Sequence, residues 1–173
     1  MKPSQINGTY YAEEDRIMLR VKSTDQSEYR FWLTRLISQK ILHIIETISI
    51  KNIAAKNESK ALSQSVIEAI DEMQQKAIKT ETDLTKPYGP TNKLPMGGEP
   101  LLITKVSFIF INRSQINLQF TLKNHKSLEL ELNFATLARI RLLLNELNNK
   151  AHWDLADQSE MHHDLSPTNQ VIH

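Results

Sequence analysis

From Arg16 the chain alternates. Ile17, Leu19 and Val21 fall on one side and Arg16, Met18, Arg20 and Lys22 on the other, which predicts a strand with one buried face. After the turn-rich Ser23–Ser27 the alternation resumes, with Tyr29, Phe31 and Leu33 inward and Glu28, Arg30 and Trp32 outward. Two such runs across a short polar connection predict an antiparallel hairpin with one wet face. Thr34 is placed to cap a helix whose apolar positions are Ile37, Ile41, Ile44, Ile45 and Ile48. A further strand, Ile6–Tyr11, precedes the hairpin and carries Thr9, Tyr10 and Tyr11.

The same unit returns in the second half. Leu101–Asn112 reads as a strand that is apolar on both faces (Val106, Phe108 and Phe110 against Ile109 and Ile111), which predicts cover on both sides. Ile116, Leu118, Phe120 and Leu122 alternate with polar residues, as do Leu128, Leu130 and Leu132 after the turn at Asn124–Lys126. Asn133 then caps a helix with the stripe Leu137, Ile140, Leu144 and Leu147. Ile17 and Ile116, Leu19 and Leu118, Leu33 and Leu132, and the caps Thr34 and Asn133 all stand 99 positions apart. In the helices, Ile37 meets Leu137 with a one-residue shift.

The expected fold class is therefore α+β: duplicated βββα units about a pseudo-two-fold, antiparallel sheet packed on helices, plus one inserted helix. Residues 1–153 form a single domain with repeats at 6–49 and 101–150, an inserted helix at about 58–79 and a loop at 80–100, followed by a flexible tail at 154–173. The inserted helix shows Leu62, Val66, Ile70, Met73 and Ala77 at near-heptad spacing, the buried face of a helix packed on its own domain or the seam of a dimer. The loop holds Pro87, Pro90, Pro95, Gly97, Gly98 and Pro100 and no apolar periodicity. Gly97–Gly98 lacks the Lys-Ser/Thr partner of a phosphate cradle.

Composition narrows the picture. A net charge of +1 gives no whole-molecule field toward nucleic acid or anionic lipid, so any basic footprint is local. With no cysteine there is neither disulfide nor thiolate chemistry. Met1–Asn7 lacks the apolar core of a signal peptide, and no apolar run approaches the roughly 18 residues of a membrane span. A cytoplasmic protein with no membrane partner is expected.

The segments EDRIMLRV (Glu14–Val21) and EYRFWLTR (Glu28–Arg35) resemble a family of conserved bacterial proteins of unknown function. The resemblance implies a bacterial origin and carries no site. In architecture alone the duplicated unit is similar to the PUR and Whirly single-strand binders, whose repeats place four strands before the helix rather than three.

The two outward faces differ. The first hairpin sets Lys22 opposite Glu28, Arg20 opposite Arg30 and Met18 opposite Trp32, whereas the second sets Gln119 opposite Glu129 and Asn117 opposite Glu131. Arg16, Met18, Arg20, Lys22, Arg30 and Trp32 thus form the candidate binding surface. Three readings apply to it. The inserted helix Ala61–Ile78 covers Met18 and Trp32 while its acids pair with the arginines; or a protein docks there, with the basic copy of one subunit facing the acidic copy of another in a homodimer; or single-stranded nucleic acid stacks on Trp32. No catalytic, cofactor or metal signature accompanies them. His43 reads as a boundary or core histidine and His125 as a turn residue. Asp154, Asp157, Glu160, His162, His163 and Asp164 lie in the polar tail. The expectation is a non-catalytic binding protein, with protein or self as partner and single-stranded nucleic acid as the alternative.

Overall fold

A computed structural model describes residues 1–57, 62–81, 88, 89, 91, 93–112 and 114–153; the tail cluster beyond Trp153 lies outside the described residues. The elements are β1 (Pro3–Tyr11), β2 (Arg16–Ser23), β3 (Glu28–Leu33), α1 (Arg35–Lys56), α2 (Gln64–Glu81), β4 (Leu101–Phe110), β5 (Gln115–Leu122), β6 (Ser127–Asn133) and α3 (Phe134–Lys150). The fold is α+β, with two βββα units and α2 inserted between them. One sheet runs β1-β2-β3-β4-β5-β6, antiparallel within each unit and parallel where the units meet.

The alternating positions explain the strands. Ile17, Leu19, Val21, Phe31 and Leu33 are buried from the first hairpin, as are Ile116, Leu118, Phe120, Leu122, Leu130 and Leu132 from the second. Both inner faces enter one core, joined by an edge-on contact between Phe31 and Phe120 with ring centroids 5.6 Å apart. Thr34 and Asn133 cap α1 and α3 by accepting from the amides of Ile37 (3.3 Å) and Thr136 (2.8 Å). These caps stand 99 positions apart, as do the buried pairs Ser38 and Leu137, Ile41 and Ile140, Ile45 and Leu144, and Ile48 and Leu147. The one-residue shift expected between the helices is thus absent. Ser38 is the polar residue that obscured the match; its hydroxyl is buried against the Asn148 side-chain oxygen at 3.0 Å.

The pseudo-two-fold extends to the backbone. Phe31 and Leu101 form the parallel junction of β3 with β4. At the other end of the sheet, the Met1 nitrogen donates to the Glu129 carbonyl (2.8 Å) and the Glu131 amide donates to the Met1 carbonyl (2.8 Å). That is the pattern of a parallel pair between Met1 and Leu130, so the outer strands meet there as the inner ones do. Each hairpin turn repeats as well. Ser23 bonds Ser27 as Leu122 bonds Lys126, with Gln26 and His125 in the matching left-handed positions at φ 66° and 62°. His125 is accounted for by that turn.

Each helix serves the other repeat: α1 packs against β4, and α3 against β1. α3 comes so close to β1 that a Cβ on Gly8 would lie 2.5 Å from Cδ1 of the buried Leu147. α2 lies on α1 and α3, held by Arg141, which donates to Asp71 at 2.5 Å and stands 3.8 Å from Glu46. Three expectations change here. Val66, Met73 and Ala77 of the near-heptad stripe are exposed, and α2 buries Ile67 and Asp71 instead. β4 is not covered on both sides, since Ile109 is 60% exposed on the outer face. His43, expected at a boundary or in the core, is exposed.

Gly8→Ala is expected to lower stability by about 1–3 kcal/mol, because Leu147 has to leave its packed position. Urea unfolding measures it; an unchanged midpoint with unchanged slope would mean that α3 does not approach β1 this closely.

Candidate interaction surface

The registers place the outer face in rows. Lys22 pairs with Glu28, Arg20 with Arg30 and Met18 with Trp32, as the alternation indicated. β1 and β4 extend these rows. Asn7 joins Arg20 and Arg30, while Thr9 lies beside Met18 and Leu102 beside Trp32.

The helix α2 does not cover this face. Part of the segment before β4 does. Lys22 is only 5% exposed, and its ammonium donates to the Gly89 carbonyl at 2.6 Å. The Tyr88 ring sits over both the Arg20 guanidinium (4.6 Å to the ring centroid) and the Lys22 ammonium (5.2 Å). Arg20 also donates to the Asn7 side-chain oxygen at 2.6 Å. Arg30 bonds the buried Glu28 carboxylate at 2.6 Å and the Gly98 carbonyl at 3.0 Å. Burial first, and then the Glu28 carboxylate, push the Tyr88 phenol above its ordinary value.

The turn anchors the same segment. The Glu28 amide donates to the Lys93 carbonyl (2.9 Å), the Thr91 hydroxyl donates to the Gln26 carbonyl (2.7 Å), and Lys93 pairs with Asp25 at 2.6 Å. Lys93, followed by the Ser23 and Ser27 hydroxyls, holds the Asp25 carboxyl well below the usual carboxylate range.

Two rows of cations are therefore occupied within the chain, and the arginines pair with Glu28, Asn7 and backbone carbonyls rather than with acids of α2. The next row stays at the surface. Met18, Trp32 and Leu102 are half-buried side by side, flanked by exposed Thr9 and half-buried Arg16, whose guanidinium lies 3.6 Å from Glu14. The exposed Tyr11 ring meets Trp32 edge-on at 5.2 Å. The matching row of the second unit is Ile109, Asn117 and Glu131, with Lys2 at 3.3 Å from Glu131 where Leu102 adjoins Trp32. An aromatic and aliphatic strip on one unit thus answers to an amide and an ion pair on the other.

The candidate residues consequently divide. Arg16, Met18 and Trp32 remain accessible, whereas Arg20, Lys22 and Arg30 are engaged. Tyr11 and Leu102 belong to the strip and were not among the candidates, since only the strand register brings them to Trp32. Tyr88 was also missed, because its neighbourhood has no periodicity to read. Trp153 is a structural counterpart at the same end of β1 but on the inner face; it stacks edge-on with Tyr10 at 5.8 Å and donates its indole N–H to Asp15 at 2.7 Å. Among the described residues no three metal-ligating side chains converge, and no helix is long and apolar enough to cross a membrane. Comparison of the chain with family models, curated proteins and solved structures returned no match.

The depressed Asp25 value gives a pH signature. The ion pair contributes stability above the ordinary carboxylate range, and that contribution is lost as pH falls through the lower folded value. In a carboxyl-detected NMR titration, Asp25 is expected to stay ionised at about pH 3, a unit below an ordinary aspartate. Lys93→Ala should return its midpoint upward; an ordinary midpoint in the parent protein would show that Lys93 does not dock on the turn.

Proposed function

We propose that the protein is a non-catalytic, cytoplasmic binding module whose partner is another protein, docked on the strip formed by Thr9, Met18, Trp32 and Leu102 with Tyr11 and Arg16 at its end. The observation that carries this reading is the division of the outer face: its cations are spent on Tyr88, Glu28, Asn7 and carbonyls, while its aromatic, methionine and leucine side chains remain at the surface. Trp, Tyr, Met and Arg are the residues that protein interfaces enrich, and a half-buried tryptophan is already ordered before a partner arrives. Single-stranded nucleic acid is the weaker reading. A base can stack on Trp32, but phosphates would have to compete for Arg20, Lys22 and Arg30 with acceptors of the chain itself.

A photo-crosslinking amino acid placed at Met18 is expected to trap a discrete protein in the cells the chain comes from, and the same group at the counterpart Asn117 is not. Trp32→Ala should remove the adduct at position 18. Equal labelling at both positions, or none at Met18, would overturn the reading. Nuclease-sensitive adducts, together with low-salt binding of a labelled single strand, would favour the nucleic-acid alternative.

A further inference from the structure

α2 poses a problem that the rest of the fold does not solve. A surface helix normally turns its apolar stripe inward. This one buries Ile67 together with Asp71, a carboxylate 6% exposed that is held by Arg141, with Ile78 half-buried on the same side, yet it leaves Val66 43% and Met73 70% exposed. Ala69 and Ala77 are exposed beside them, with Ile70 at the border of the two faces. The outward face thus presents one large flexible side chain, Met73, between two small ones, the composition that lets a second helix approach closely.

Its charges name the occupant. Glu68 and Glu72 lie in the first half of the helix and Lys76 and Lys79 in the second, all exposed. Among the described residues Glu72, Lys76 and Lys79 form no ion pair. An identical helix running antiparallel about Met73 brings the acidic half of each copy against the basic half of the other. Met73 then meets Met73, Ala69 of one copy lies across from Ala77 of the other, and Glu72 of each comes within reach of Lys76 of the other. A parallel pair would instead align like charges.

We infer that α2 is the seam of a two-fold homodimer in which the Val66, Ala69, Met73 and Ala77 faces of two copies pack antiparallel. The inference rests on the same protein-binding reading but on a different surface, so the two fail separately. An 18-residue helix is about 27 Å long, and a single helix pair of that length buries an area at the low end of specific interfaces. The dimer is accordingly a weak one that loosens as salt screens the flanking pairs.

Sedimentation equilibrium from about 1 to about 200 μM, a range spanning the affinities of small interfaces, reads it directly. At low salt the parent protein is expected to pass from monomer to dimer within that range. Met73→Glu, which sets two carboxylates against each other at the two-fold, should weaken the dimer at least tenfold while the circular dichroism stays native. Glu72→Lys and Lys76→Glu should each weaken it, and the double charge exchange should restore it, which no loss of folding can imitate. Trp32→Ala should leave it unchanged. A monomer throughout the range, or a dimer indifferent to Met73→Glu and to the charge exchanges, would overturn the inference. A dimer lost only in Trp32→Ala would move self-association to the hairpin strip.

Discussion

A three-stranded antiparallel unit cannot cover its own inner face, and here each unit borrows its cover from the other. α1 grows out of β3 and packs against β4; α3 grows out of β6 and packs against β1. The strand junctions are short by comparison, with Phe31 and Trp32 against Leu101 and Leu102 on one side and Met1 against Leu130 on the other. Burial of isoleucine, leucine and phenylalanine between exchanged helices and facing hairpins is therefore the dominant favourable term, and the junctions set the register in which it occurs.

This exchange fixes the inner faces and leaves the outer ones free to diverge. Inside, an apolar residue answers an apolar one at nearly every matched position, as with Ile17 and Ile116, Leu19 and Leu118, Val21 and Phe120, and Phe31 and Leu130. Outside, the row holding Met18, Trp32 and Leu102 in one unit holds Asn117, Glu131 and Lys2 in the other. Tyr88 and Gly89 lie against the first of these faces, where they engage Arg20 and Lys22 and define the limit of the exposed strip.

Much of this was legible in the sequence, for a physical reason. Alternation sets strand faces, and short turns set register, so the pairs Lys22–Glu28, Arg20–Arg30 and Met18–Trp32 follow from position alone. Caps have local signatures, and both Thr34 and Asn133 act as expected. What stayed hidden depends on tertiary pairing. The acceptors that occupy Lys22 and Arg30 are backbone carbonyls of Gly89 and Gly98, which carry no side-chain signal. The buried side of α2 includes Asp71, which reads as a solvent residue until Arg141 arrives from seventy positions away. Ser38 disguised the helix match for the same reason, since its hydroxyl is satisfied only by Asn148 of the other helix.

The exchanged helices make the two units one cooperative core, so that neither can open without uncovering the other. Native-state hydrogen exchange in increasing urea measures this most directly. Amides of β2 and α1 and those of β5 and α3 should converge on a single opening free energy with the same urea dependence. Two separate isotherms, with one unit opening at markedly lower free energy while the other stays protected, would show that each repeat holds its own core and would contradict the exchange.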